Sequence, residues 1–419
     1  MSLSSSHHRL TGHVASPSSS SLKDEKAMAV PCFRKRSLLT GIWSSFGHRF
    51  GSNNNIHNSN SIRCLVFLPH DPTEVEVEDS DENDNVAPTT TDYYKDLSSV
   101  DDSTETSDEP DDEPLNFMIS HLSLEDLEIA ARTNYEYLRS CLDGCDSVSQ
   151  RATNRKLKKE DPIPYVRLMC RRYLISKNYN KYVALEKVQA TIYFRRELMN
   201  IEELITAFDS YHGINSKSKS SNNSMKGNKI AEKLHYHLKS KHMYVQGYDK
   251  SNRATFLFIP RNVTGHDPEW TIKEALYTIE RAIACSKAKD KTINAMVDFT
   301  GFSSSRHAPP ISIGQAFVST LRKYYAGQVH RIYLIDAPSS FNFLWRILKP
   351  FVGTNTRSKI QFISSRNSHH QQLIRDMYDA ADVPSWVLPD GKKNRELDID
   401  EYLYKIPFDQ AFDSSPLIK

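Results

Sequence analysis

The 419-residue chain has no run of 18 consecutive apolar residues, so the sequence predicts no helix that spans a bilayer. Six cysteines, Cys32, Cys64, Cys141, Cys145, Cys170 and Cys285, are scattered without the paired spacing of a zinc site or a small disulfide framework. Reduced thiols in the cytosol are therefore expected. Glycine motifs that cradle phosphates are missing, as is the G-x-S-x-G elbow of the α/β hydrolases. The N-terminus has no secretory apolar core, and its serine-rich, acid-poor character leaves organelle targeting open.

Charge of one sign is scarce in two successive stretches. Met1–Asn60 holds only Asp24 and Glu25 as acids, while Asp71–Glu113 holds 18 acidic residues against the single base Lys95. Such polar, like-charged sequence buries too little apolar surface to offset the entropy of ordering, so residues 1–113 are expected to be a disordered tail, open to protein partners. Without the acidic block the 54 basic and 52 acidic residues become 53 and 34, a body of net charge about +19. An anionic partner is implied. Aromatic residues in apolar helical runs and the lack of a nucleic-acid module point to a membrane surface rather than nucleic acid.

From Ser123 the sequence turns periodic. Ser123 with Asp126 predicts a capped helix start, and further helices are expected over about 165–176, 182–199 and, after a capping Asn200, 201–208: a helical module spanning 121–210. The Ser/Lys/Asn-rich stretch 211–228 reads as an exposed loop. A helix over 229–238 leads to a hairpin turning at Asp249–Asn252, then to a long helix begun by Asp267 and Pro268. Buried strands follow at 294–303, 329–335 and 359–363, with helices between them. That order predicts an α/β domain over 229–390, its mainly parallel sheet flanked by helices, with 391–419 left as a C-terminal tail. Between the last two strands, Ser340 is placed to cap a helix whose Phe341, Phe343, Leu344, Trp345, Ile347, Leu348 and Phe351 occupy nearly every side. No solvent face is expected there. Such a helix is either core or in contact with lipid.

These residues resemble the CRAL-TRIO lipid-binding proteins, among them the phosphatidylinositol/phosphatidylcholine transfer proteins. The matching words are VDFTGFS at Val297–Ser303, YYAGQVHRIYLIDAPSSF at Tyr324–Phe341, W..LKPF at Trp345–Phe351 and TRSKI at Thr356–Ile360; RRYLISKNYNKYVALEKV at Arg171–Val188 adds the family's N-terminal module. The resemblance implies non-enzymatic binding and intermembrane transfer of a phospholipid, phosphatidylinositol or phosphatidylcholine, with no cofactor and no metal. It makes 341–351 a mobile gate and acyl-chain wall, and places the phosphate of a phosphoinositide on Lys177, Thr356 and Lys359. Ser303, Ser305 and Tyr325 become polar residues near the headgroup. One departure matters: where the family usually reads Tyr-Pro-Glu-Arg, this chain has Tyr325-Ala326-Gly327-Gln328. Gly327 cannot accept hydrogen bonds from inositol hydroxyls, so the lipid is left open.

The resemblance implies a cytoplasmic protein that meets membranes peripherally and transiently. Two rivals are weighed. One is a lipid sensor or scaffold that presents a hydrophobic ligand without transferring it. The other is a hydrolase built on Asp298, Ser303–Ser305 and His307.

Overall fold

A computed structural model describes residues 112–143, 161–211, 228–265 and 267–412. The acidic block up to Asp111, the linker 151–159, most of the loop 211–228 and three of the six cysteines lie outside the described residues.

The helical module holds α1 (Asp112–Ser120), α2 (Leu124–Ala131), α3 (Tyr135–Asp143), α4 (Ile163–Ser176) and α5 (Lys181–Tyr193). Ser123 caps α2 by accepting from the Asp126 N–H, as its position predicts. Helix α1 starts two residues inside the stretch assigned to the acidic tail. Its Leu115 and Met118 are buried with Val166, Met169, Leu174, Ala184 and Val188, a core separate from that of the sheet. A π-helical turn, Phe194–Leu198, ends this block, and α6 (Ile201–Ile205) is shorter than expected. Asn200 does not cap α6. It sits in the left-handed region at φ 47°, and its side chain donates instead to Glu203.

Next come α7 (Lys229–Leu238), β1 (Met243–Tyr248), β2 (Ala254–Phe258) and α8 (Pro268–Cys285). Asp267 caps α8 through the N–H groups of Glu269 and Trp270. The hairpin turn closes on the Asn252 N–H to Asp249 carbonyl bond, with Asn252 at φ 62°, a conformation asparagine tolerates. The remaining elements are β3 (Ile293–Asp298), α9 (Ser304–His307), α10 (Ile311–Tyr324), β4 (Val329–Ile335), α11 (Ser339–Leu348), α12 (Thr354–Arg357), β5 (Ile360–Ile363), α13 (Ser368–Met377) and α14 (Ile399–Tyr404).

The five strands lie in sequence order, β1 antiparallel to β2 and every later pair parallel. The mainly parallel α/β sheet expected from the strand and helix order is present. Strand side chains alternate between two faces. On one face Met296, Tyr333, Ile335 and Ile363 are at most 3% exposed and pack with α8, whose Leu276 and Tyr277 are equally enclosed. The other face carries Val297, Leu334, Ile360 and Phe362, together with Phe341 of α11.

Residues 391–412 are not a free tail. Leu397, Tyr402, Leu403, Phe408 and Phe412 are buried. Arg281 of α8, itself fully buried, donates to the carbonyls of Tyr402, Ile406, Pro407 and Gln410. One guanidinium thereby satisfies carbonyls that would otherwise be buried without donors. Burial of the terminal segment follows from a partner more than a hundred residues upstream, which local composition does not carry.

Candidate functional site

Helix α11 is where the structure departs most from expectation. Pro338, not Ser340, occupies the N-cap position, and no side chain caps the helix. Nor is the helix enclosed on every side. Phe341 alone is buried, Leu344, Trp345, Ile347 and Leu348 are half-buried, and Phe343 is 62% exposed. Asn342, Arg346 and Lys349 share the outer side with Phe343. The helix therefore has an outer face carrying one large apolar ring among polar and basic neighbours. The six apolar residues after Phe341 face something other than closed core.

Beneath α11 lies an apolar layer built from both sides. Phe341 stands 4.5 Å from Phe299 and 6.5 Å from Phe362, ring centre to ring centre, and Trp345 stands 6.3 Å from Phe362. From the sheet, Val297, Ile332 and Phe362 point into this layer but are only half-buried, and Val318 of α10 joins them. Strand β4 changes along its length: Val329–Ile332 are half-buried on both faces, whereas Tyr333, Leu334 and Ile335 are buried. Val297, Ile332 and Phe362 of the sheet and Leu344 and Trp345 of α11 thus pack on the same small cluster while each stays partly open.

The two ends of α11 are held differently. At its start Asp336, at φ 51°, accepts from both the N–H and the hydroxyl of Ser365. At its end a single 3₁₀ turn, Lys349–Phe351, leads to Gly353 and α12. Leu348 rests against Gly314 of α10, where an added methyl would meet Leu348 Cδ2 at 3.4 Å.

The polar residues singled out from the sequence do not form one cluster. Lys359 opens β5 and donates to the Val329 carbonyl at 2.7 Å, at the start of the parallel strands. Burial first, and then the charge of Arg331, lower its pKa from the ordinary lysine value. Thr356 is half-buried one turn before it, on the short α12, and its carbonyl accepts from the Lys359 N–H. Lys177 ends α4, one turn beyond Tyr173, whose hydroxyl contacts the Lys323 carbonyl just before the β4 entry turn. Thr356 and Lys359 thus belong to the end of the sheet where β5 begins, and Lys177 lies on the helical module, one turn beyond the Tyr173 contact with Lys323. Ser303 and Ser305 lie beyond the other end, on the turn after β3, with their hydroxyls 3.1 Å apart.

Tyr325 belongs to neither group. It is buried, and its hydroxyl donates to Glu280 of α8 at 2.6 Å. Arg195 of the π turn donates to the same carboxylate and lies 5.9 Å from the Tyr325 ring. Burial, reinforced by the Glu280 charge, pushes the tyrosine pKa well up; desolvation opposes the Arg195 charge, but Glu280 and Tyr325 hold it firmly cationic. This three-residue knot joins the π turn, α8 and the β4 entry turn. No periodicity signalled it.

Gly327 has φ 69°, and a methyl added there would stand 3.2 Å from Arg172 Cγ. Arg172 fills the space over the turn and donates onward to the Asp290 carbonyl, with burial lowering its pKa to about 10. A side chain at position 327 has neither the room nor the backbone conformation it needs.

The residues weighed as a hydrolase are arranged for other purposes. Asp298 is buried and paired with Arg261, while its second oxygen accepts from the Thr300 N–H. His307 Nδ1 accepts from the Ser303 N–H. A triad needs that nitrogen to donate to the carboxylate. Asp398 caps α14, and Asp400 meets His235. Among the described residues no helix is long and apolar enough to cross a membrane, and no group of three His, Cys, Asp or Glu is placed to hold a metal ion.

Comparison with known proteins agrees with this geometry. Residues 238–384 match the model of the CRAL/TRIO domain. The chain is 32% identical over 97 residues to the phosphatidylinositol/phosphatidylcholine transfer protein SFH11 of Arabidopsis thaliana, covering 22% of this chain and 26% of that protein. It is 31% identical over 108 residues to the SEC14 cytosolic factor of Candida glabrata, covering 25% and 35%. A CRAL-TRIO domain-containing protein of Schizosaccharomyces pombe is 24% identical over 116 residues, which are 28% of this chain and 11% of that one. The matches thus span about a third or less of each relative. Among solved structures, that of Sfh5 aligns with 72% of this chain and 94% of its own at 12% identity and a TM-score of 0.45. With the mainly parallel sheet and the motif words in agreement, residues 238–384 are similar to the CRAL/TRIO domain.

Proposed function

We propose that this protein binds one phospholipid in the slot between β3–β5 and α11 and carries it between membranes, without chemistry on the ligand. The observation that carries this reading is the contrast between the faces of the same strands. Met296, Tyr333, Ile335 and Ile363 on one face are at most 3% exposed, whereas on the other Leu334 and Ile360 are buried but Val297, Ile332 and Phe362 stay half-buried opposite half-buried Leu344 and Trp345 of α11. Each acyl methylene that enters gains about 0.8 kcal/mol, so two chains amount to roughly 20 kcal/mol of exposure avoided. Helix α11 is suited to act as the gate, since its outer face offers Phe343 with Arg346 and Lys349 to an anionic interface. The protein then works as a cytoplasmic, peripheral visitor to membranes. Mass spectrometry of lipid extracted from the purified full chain is expected to find about one phospholipid per protein. Labelled lipid should pass between vesicle populations. Bound lipid without transfer would favour a sensor, and no bound lipid would end the slot reading.

For the headgroup phosphate we assign Lys177, Thr356 and Lys359. The support is the shared position of Thr356 and Lys359 at the end of the sheet where β5 begins, together with the half-buried cation of Lys359 beside Arg331. Replacing Lys177 and Lys359 by Ala is expected to weaken phosphoinositide binding about tenfold or more while neutral lipids stay bound. Equal phosphoinositide affinity in the double variant would refute the assignment.

A pH dependence follows from Lys359. Its pKa in the free protein is below the ordinary lysine value, 10.5. A neighbouring phosphate raises it again, so binding takes up a proton. Affinity is full below the lowered free-state pKa and declines as pH rises through it towards the bound-state value. A phosphoinositide titration carried from neutral into alkaline pH should show this loss setting in before 10.5, and Lys359→Arg should abolish it.

A further inference from the structure

Around the turn between α4 and α5 several hydrophobic side chains are largely exposed, although the Tyr182 ring meets Phe117 of α1 edge-on at 5.1 Å. Ile175 is 51% exposed, Tyr179 49%, Tyr182 67% and Val183 36%, while their neighbours Leu174 and Ala184 are at most 2% exposed and complete the module's core. The backbone is closed from within. The Tyr179 N–H reaches the Leu174 carbonyl at 2.8 Å, the Asn180 N–H reaches that of Lys177 at 3.0 Å, and the Asn180 side chain caps α5. Two successive residues other than glycine, Asn178 and Tyr179, sit at φ 48° and 62°. A β-carbon is disfavoured in that conformation, so Tyr179 holds its ring outward against a local backbone preference.

Basic residues are frequent along this stretch. From Arg167 to Lys187 the sequence has six basic residues and one acid, Glu186. Lys181 lies 4.7 Å from the Phe117 ring and 5.9 Å from that of Tyr182, and it pairs with Glu113, whose side chain is 70% exposed. An exposed pair of this kind is weak, and a phosphate can displace its carboxylate.

We propose that the α4–α5 turn is a membrane-contact surface selective for anionic phospholipid, separate from the gate helix. Apolar and tyrosine side chains on a convex turn, interleaved with lysines, match the boundary between headgroups and acyl chains, where amphipathic rings settle and each base near an anionic surface adds about fivefold to affinity. A groove would suit a protein ligand better. The inference rests on the reading that the protein works at membranes, but the turn lies outside residues 238–384, and the residues tested, Ile175, Lys181 and Tyr182, are none of those assigned to the slot or to its phosphate.

The test is cosedimentation of the full chain with phosphatidylcholine vesicles containing about 30% phosphatidylserine, at low and raised salt. Ile175→Ser/Tyr182→Ser is expected to bind about tenfold more weakly or worse, and Lys181→Ala about fivefold more weakly with a smaller salt dependence. Their unfolding midpoints should fall only slightly, since the side chains are largely exposed and lose one ring contact with Phe117 and one exposed ion pair. Unchanged vesicle binding by the double variant overturns the inference, whatever lipid the protein holds. So does a double variant that binds vesicles normally but loses binding to polyglutamate, which would make the patch a site for acidic protein. Should the wild type carry no lipid yet lose vesicle binding on substitution, the slot reading fails and the turn stands.

Discussion

Glu280→Ala is expected to destabilise the protein by about 3–5 kcal/mol, the typical cost of leaving a buried charge unpaired. Glu280 is 4% exposed and accepts from both Arg195 and Tyr325. Without it the Arg195 guanidinium, 9% exposed, stays buried with one more donor unmet, and one of its nitrogens already lacks a protein partner. Set against a total stability of about 5–15 kcal/mol, that loss is large. Equilibrium urea unfolding followed by far-UV circular dichroism would measure it. The double variant Arg195→Met/Glu280→Leu should recover most of the loss, because an apolar pair needs no desolvation. Equal destabilisation in the single and double variants would mean that packing, rather than the uncompensated charge, sets the cost.

The second large effect belongs to the slot. Leu344→Asn/Trp345→Asn places two amides where acyl chains are proposed to lie. At about 1.5–3 kcal/mol per large apolar side chain, lipid occupancy and transfer should fall about a hundredfold. The fold should survive, since both residues are half-buried and Phe341 supplies the closed contact with Phe299. Phe343→Asn separates binding from exchange: with that ring 62% exposed, lipid content should stay near the wild-type level while vesicle-to-vesicle transfer slows. Lipid content by mass spectrometry and transfer of a fluorescent phospholipid give the two readouts. Full occupancy in the Leu344/Trp345 variant would place the ligand elsewhere.

The two effects differ in how far the sequence revealed them. Strand β4, the hairpin turn at Asp249–Asn252 and the Asp267 cap of α8 were legible because each rests on neighbours a few residues apart: a continuous apolar and β-branched run, a turn residue tolerant of positive φ, a carboxylate before a helix. The Arg195–Glu280–Tyr325 knot was not, since its partners are separated by 85 and 45 residues. Tyr325 looked like a headgroup contact for the same reason. A tyrosine in a family motif does not reveal that its hydroxyl is already engaged by a helix from another part of the chain. The tethering of 391–412 by Arg281 was hidden in the same way.

What the sequence by itself determined is the order of strands and helices, the separate helical module and the greasy run from Phe341 to Phe351, because local periodicity and composition encode them. That this run has an outside, with Phe343 in solvent and Leu344, Trp345, Ile347 and Leu348 half-covered, was settled by folding against the sheet and α10. Apolar residues on every side of a helix state that it avoids water. They do not state whether protein or an empty slot meets each side, because that depends on how far the opposing sheet stands from it.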